Sequence, residues 1–353
     1  MLKGKKRWII IFVIIAVLTV WTVISQSKSF SFVALQRDLE NIRVPWLIMA
    51  VISMMGFIVF EGLAFTYIIK GITGRSTYHE GQVYSAGDIY FSAITPSASG
   101  GQLISAYFMI WDGIPAAQTT VILLLNLIMY TFALLFYGAA VLLFNFPVIF
   151  AFSTAGQVLI GVGIAILVGL AAFFALLLRK ERIIHAAGEF IVDTLGKLHI
   201  LHYPQMTKRR LRAVMRQYKK CVLIVRGKSK MLAWAFAMNL CQRLSQSLVV
   251  IFSYFALDGT VSRIFDVWSV QILTFIGSNS IPIPGAMGVA DYLLIDGLEG
   301  LDIISHEANL ELVSRGLSFY LCVIISMIIT AAGYLFRRLK DRRAQTSGEG
   351  SDF

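Results

Sequence analysis

Long apolar runs limit what this chain can fold into before any motif is considered. Residues 8–25, 46–69, 117–144, 156–178, 231–255 and 313–336 are almost free of charge. A helix needs about 20 such residues to cross the hydrocarbon core of a bilayer. Six runs of this kind are more than one water-soluble core can hide. Of the 353 residues, 57 % are hydrophobic and only 14 % are charged, where soluble domains carry about 25 % charge. The chain is read as an all-α polytopic membrane protein. A cytosolic enzyme, a disordered chain and a secreted disulfide scaffold are excluded. Cys221, Cys241 and Cys322 are odd in number and far apart, so they give no disulfide framework and no zinc spacing.

The net charge of +11 is gathered between the apolar runs, which points to an anionic membrane surface rather than to nucleic acid. Lys3, Lys5, Lys6 and Arg7 precede the first run. That run is longer than a signal-peptide core and no A-x-A site follows. It is read as a retained span with a cytoplasmic N-terminus. Residues 27–44 are amphipathic and are expected at the outer surface. Residues 179–230 hold fourteen Lys/Arg and three acids, which places them in the cytoplasm by the positive-inside rule.

Parity then constrains what remains. Residues 70–82 lie inside, and so does residue 115, because two spans separate it from the basic stretch. Residues 83–113 are too apolar for a loop, so they must enter and leave on one face. They are broken at Thr95-Pro96-Ser97-Ala98-Ser99-Gly100-Gly101-Gln102, where Pro removes an N–H and Gly frees the backbone. Residues 265–297 repeat the pattern from the outside, broken at Ile281-Pro282-Ile283-Pro284-Gly285. The expected architecture is about six full transmembrane helices with two re-entrant broken hairpins in inverted arrangement. Broken segments in matching positions point to a midplane site in transporters. Residues 1–343 are expected to form one membrane domain and 344–353 a disordered tail. Both termini are expected in the cytoplasm.

The two motifs, ITPSASGGQLISAYFM (94–109) and IPIPGAMGVADYLL (281–294), resemble the flippase-like transmembrane family of lysylphosphatidylglycerol synthase. That family includes the membrane half of the bacterial multiple peptide resistance factor. The resemblance runs over residues 8–337 and implies a bacterial inner-membrane protein that handles phospholipid and contributes to antimicrobial peptide resistance. In full-length relatives a soluble domain moves lysine from lysyl-tRNA to phosphatidylglycerol, and the membrane half passes the product to the outer leaflet. The tail RRLKDRRAQTSGEGSDF is too short for such a domain. The expectation is a stand-alone form that is not an enzyme by itself. Asp291 stands where the family usually writes Glu.

The candidate substrate residues follow from what a membrane interior tolerates. Backbone at membrane depth must be satisfied by protein or water. In the first hairpin Thr95, Pro96, Ser97, Gly100, Gly101 and Gln102 offer hydroxyl, amide and free N–H groups, and a helix restarting near Gly101 would face a phosphate with its N-terminus. Helix capping by Thr95 and Ser97 is the alternative. In the second hairpin Pro282, Pro284, Gly285 and Gly288 precede Asp291, which either caps a restarting helix or meets a cationic headgroup. Arg243, at the middle of its span with Asn239, Gln242 and Gln246 on one face, suits a lipid phosphate, or pairs structurally with Glu61. Intramembrane charges are functional by default. Arg315 is expected to snorkel to the outer interface, and Asp88 to cap near the other.

Residues 208–230 carry basic residues at helical spacing and are expected on an anionic membrane surface. His199 and His202 are too few for a metal site. No nucleotide loop, no Ser/His/Asp order and no metal cluster is recognised, so no cofactor is expected. Movement would then be downhill or ion-coupled. The leading reading is a translocator of phosphatidylglycerol or its lysyl or aminoacyl derivative. The alternatives are the membrane part of a phosphatidylglycerol lysyltransferase or of another lipid or polyprenyl-carrier enzyme, and a small-solute transporter. A separate synthase and a homo-oligomer are left open as partners.

Overall fold

A computed structural model describes residues 42–75, 78–95, 99–179, 227–279, 288–302 and 307–348. The first run, the 27–44 segment up to residue 41, the basic stretch 180–226, and Pro96, Ser97, Pro282, Pro284 and Gly285 lie outside the described residues. The described residues are helical and contain no strand. In order they form α1 (Val44–Thr73), α2 (Tyr78–Ile94), α3 (Ser99–Trp111), α4 (Ala116–Phe144), a 3-10 turn (Phe146–Ala151), α5 (Thr154–Arg179), α6 (Ser229–Ala256), a short turn, α7 (Ile264–Ser278), α8 (Val289–Glu299), α9 (Glu307–Arg315), a π-helical turn (Gly316–Leu321) and α10 (Cys322–Gly348). α10 continues into the stretch expected as a tail.

Among the described residues four helical stretches are long and apolar enough to cross a membrane: Val44–Thr73, Ala116–Phe144, Thr154–Phe174 and Asn309–Arg342. They match four of the expected spans. α6 has 28 residues, but Asn239, Gln242, Arg243 and Gln246 lower its hydropathy. The distribution of side chains is that of a lipid-immersed protein. Val158, Val162, Ile166 and Phe173 of α5 and Ile324, Ile328, Leu335 and Phe336 of α10 are exposed, while Glu61, Asn126, Asn239, Gln242, Arg243 and Gln271 are buried.

α1 and α6 form the central antiparallel pair. Trp46 stacks on Phe252 with ring centroids 5.9 Å apart, and at the other end Tyr67 stacks on Trp234 at 5.5 Å. Between them Gly56 leaves room for Ser245, whose Oγ would lie 2.9 Å from an added Cβ. Both ends are tied. Arg43 pairs with Asp258, beyond the end of α6. Lys228, just before α6, donates to the carbonyl of Gly71 in the last turn of α1, where the helix dipole favours a cation.

The two short pairs α2/α3 and α7/α8 stand where the re-entrant hairpins are expected. α3 has 13 residues and α8 has 11; at about 1.5 Å per residue each falls short of the roughly 30 Å hydrocarbon core. The ends of the first hairpin meet. Arg75, ahead of α2, donates to the carbonyl of Asp112, just after α3, at 3.1 Å. The ends of the second meet at the α4–α5 connection. Asn145 donates to Asp266 at the start of α7 at 3.0 Å, and the Ser153 N–H donates to Asp296 near the end of α8 at 2.9 Å. α4 starts beside Asp112 and ends at Asn145, so its 29 residues separate the two anchor points. The two anchor points therefore lie at opposite ends of α4, the arrangement expected of hairpins that enter from opposite faces.

Asp112 is also held by the last helix. Arg337 clamps it with two hydrogen bonds, Nε to Oδ1 at 2.7 Å and Nη2 to Oδ2 at 2.6 Å, and the Tyr84 hydroxyl donates to Oδ2 at 2.6 Å. The side chains of the pair are 10 % and 12 % exposed. Removing one partner of a buried ion pair costs about 3–5 kcal/mol. Arg337→Leu should therefore lower the melting temperature in detergent sharply, and adding Asp112→Leu should recover part of the loss. An unchanged melting curve for the single variant would show that the pair does not hold this face together.

The glycines of the first motif serve close approach. A Cβ on Gly101 would lie 2.1 Å from Asp88 Oδ1 and 2.4 Å from the Asp88 backbone oxygen. Gly101→Val should lose about 1–3 kcal/mol by overpacking, measured by thermal unfolding. Gly161→Val, where nothing lies within 4 Å, should be close to neutral.

Candidate functional site

The local chemistry of the hairpin tips explains how they are built. Thr95 directly follows α2 and reaches the first turn of α3. Its hydroxyl donates to the Phe91 carbonyl at 2.6 Å and accepts the Gly100 N–H at 2.9 Å. Gly100 is required there, because an added Cβ would lie 2.5 Å from the Thr95 methyl group. In the second hairpin Gly288 precedes α8 with a φ of 77°, in the left-handed region that glycine adopts without strain. Its N–H donates to Asp291 Oδ2 at 2.9 Å, so Asp291 closes the first turn of α8.

Residues beside both tips line one cavity of about 620 Å³. Gln102 arrives from the first hairpin, and Ser278, Asn279 and Asp291 from the second. Glu61 of α1, Asn239, Arg243 and Gln246 of α6, and Asn126 and Tyr130 of α4 complete the polar wall. Of the residues singled out in the sequence, Gln102, Asn239, Arg243, Gln246, Asp291 and Glu61 thus share one space. Thr95, Gly100, Gly101 and Gly288 shape the backbone behind it.

Arg243 is 8 % exposed. Its guanidinium lies over the Tyr130 ring, 4.3 Å from the centroid, and 5.4 Å from that of Phe57. One amino group donates to Gln246, and Nε has no hydrogen-bond partner. The expected pairing with Glu61 is indirect. Glu61 Oε2 accepts from Gln242, the neighbouring residue, at 3.0 Å, and Arg243 is close enough for Glu61 to feel its charge. Tyr130 in turn donates to Asn279 Oδ1 at 2.6 Å, so the ring under the guanidinium is fixed by the tip of the second hairpin.

Two acids that the sequence left in minor roles, or passed over, belong to this wall. Asp88 lines the cavity beside Glu61, close enough for the two carboxyl groups to interact, and Ser92 donates to Asp88 Oδ1 at 3.3 Å. Asp88 is therefore not an interfacial cap. Glu311 makes the same kind of contact with Asp291. Arg315 does not snorkel outward. It turns into the cavity and pairs with Asp291 at 3.0 Å, since at this depth a carboxylate is a better partner than lipid. The sequence did contain a signal. Glu311 and Arg315 stand four apart on one helical face, in line with Ser318 and Cys322, which also line the cavity.

Several buried polar atoms on this wall have no partner among the described residues: Asn239 Oδ1, Gln242 Oε1, Gln271 Oε1 and Thr274 Oγ1. An unsatisfied buried group costs about 1–3 kcal/mol, so the cavity is a place where water or a ligand makes up the missing bonds. In a background lacking the native cysteines, Gln271→Cys should react quickly with a small polar thiol reagent. Leu125→Cys, in the apolar core, should react slowly. Equal slow rates would mean that the cavity is shut off from water.

A family described as the lysylphosphatidylglycerol synthase TM region matches residues 8–326 of the chain. No curated protein and no solved structure matches it.

Proposed function

We propose that this chain, which belongs to the lysylphosphatidylglycerol synthase transmembrane family, carries phospholipid between the leaflets of the membrane. The family ties it to lysylphosphatidylglycerol synthesis, as a membrane domain. In this reading the headgroup passes through the central cavity while the acyl tails stay in lipid. The substrate is phosphatidylglycerol or its aminoacyl derivative. The membrane is the bacterial cytoplasmic one, both termini are cytoplasmic, and the outer leaflet gains the charge that resists antimicrobial peptides. Basic residues 208–230 would gather anionic lipid at the entrance.

One observation carries the reading. Arg243 is buried at the middle of a long helix, faces a cavity, and is held by a ring and a glutamine rather than by a carboxylate. Placing Arg at a helix centre costs roughly 2.5–3.5 kcal/mol on insertion scales. A guanidinium kept there with an unused N–H suits a phosphate oxygen. Asp291 and Glu311, at the far side of the same cavity, suit the amine of an aminoacylated headgroup.

The test uses purified protein in liposomes with fluorescent phosphatidylglycerol and its lysyl form, and a membrane-impermeant quencher. Label should cross faster than in empty liposomes. Arg243→Ala should fold and insert but lose at least tenfold in rate, about 1.4 kcal/mol by the usual conversion. Undiminished crossing by that variant would remove Arg243 from the path. Absence of crossing by well-folded protein, with aminoacylated lipid formed from aminoacyl-tRNA, would favour an enzymatic role.

A further inference from the structure

The cavity holds two matched charge clusters, and their charge balance has a consequence for what must accompany a headgroup. Glu61 of α1 and Asp88 of α2 are in contact beside Arg243. Asp291 of α8 and Glu311 of α9 are in contact beside Arg315. Two carboxyl groups set side by side on a buried wall do not both ionise, so one proton stays on each pair. Each cluster then contains one negative charge on the carboxyl pair and one positive charge on arginine, and is neutral.

The first cluster is the one an anionic headgroup would disturb. Gln242 donates to Glu61 and is 2 % exposed, and its own Oε1 is unpartnered. Arg243 keeps a free Nε. The other described groups near the pair are neutral: Ser85 and Ser92 on α2, Gly101 on α3 and Cys322 on α10, while Tyr130 on α4 lies under Arg243. Among the described residues Arg243 is thus the cation that balances this pair. Once a phosphate takes the guanidinium, the negative charge on Glu61 and Asp88 has no counter-charge, and an unbalanced charge in this environment is expensive.

We propose that the Glu61–Asp88 pair binds a proton whenever an anionic headgroup occupies Arg243, so that the protein moves one proton together with each anionic lipid. The inference rests on the proposed lipid path and adds its coupling ion. The shared proton stays on the pair. A second proton arrives from water in the cavity and leaves both carboxyls neutral, and it departs when the phosphate leaves. Linkage makes the effect reciprocal. Low pH strengthens headgroup binding, and headgroup binding draws in a proton. A proton gradient therefore drives anionic lipid from the acidic to the alkaline side.

Two measurements on the full-length protein separate this inference from the reading beneath it. Calorimetry of short-chain phosphatidylglycerol binding, repeated in buffers of different ionisation enthalpy, counts the protons exchanged. Wild type should take up close to one proton per lipid. Glu61→Gln and Asp88→Asn together should bind the lipid with no proton uptake. Binding by wild type without proton uptake overturns the coupling and leaves the lipid path intact. Absence of binding overturns both. In liposomes with the membrane potential clamped, fluorescent phosphatidylglycerol should accumulate in the leaflet on the alkaline side. The double variant should let it equilibrate evenly. Accumulation by the double variant equal to that of wild type would exclude the pair as the coupling site.

Discussion

A guanidinium at membrane depth cannot face lipid, and much of this architecture follows from giving Arg243 somewhere to be. It sits midway along α6, so α6 cannot be an ordinary peripheral span. α1 covers one side and is tied to α6 at both ends by Arg43 with Asp258 and Lys228 with Gly71. α4 supplies the Tyr130 ring beneath the charge. The second hairpin fixes that ring through Asn279. The polar wall around Arg243 lines a cavity in a molecule whose long helices turn large apolar side chains outward.

The hairpins are the other half of the solution. Helices of 11 and 13 residues cannot cross, so they end in the interior, where their backbone ends need partners. Thr95 and Asp291 serve the two ends by different means. One is a hydroxyl that bridges both helices; the other is a carboxylate that caps one of them while pairing with Arg315. Small residues let the helices approach. Gly101 lies against Asp88, and Gly163 of α5 lies against the Ile276 carbonyl of α7, which an added Cβ would meet at 2.2 Å. Each hairpin is pinned at its open end to a different face, by Asp112 or by the Asn145–Ser153 turn.

Several parts of this arrangement were legible from residue patterns. The charge bias of the loops and the two Gly/Pro breaks point to two short helix pairs, and the pairs α2/α3 and α7/α8 are anchored at opposite ends of α4. Asn239, Arg243 and Gln246 fall on one helical face by spacing alone. Other parts were not. Arg315 reads as an interfacial residue because it stands near the start of an apolar run. Glu311 reads as part of the polar segment before it. Their four-residue spacing puts them on one helical face, but spacing alone does not tell that this face meets the cavity, and the π-helical turn at Gly316–Leu321 shifts the helical phase beyond them.

The sequence by itself determined the class of the molecule, its apolar spans, the two breaks and the presence of a charge too costly to be incidental. These depend on composition and on local order along the chain. Only the tertiary structure decided which charges meet. Glu61 and Asp88 lie in consecutive helices, Asp291 and Glu311 likewise in α8 and α9, and Arg243 comes from a helix far along the chain from the first pair. Carboxyl contact, like the cavity it borders, depends on how helices cross in space. Many arrangements of the same spans satisfy hydropathy equally well, because lipid rewards an apolar surface without specifying which polar faces turn toward one another.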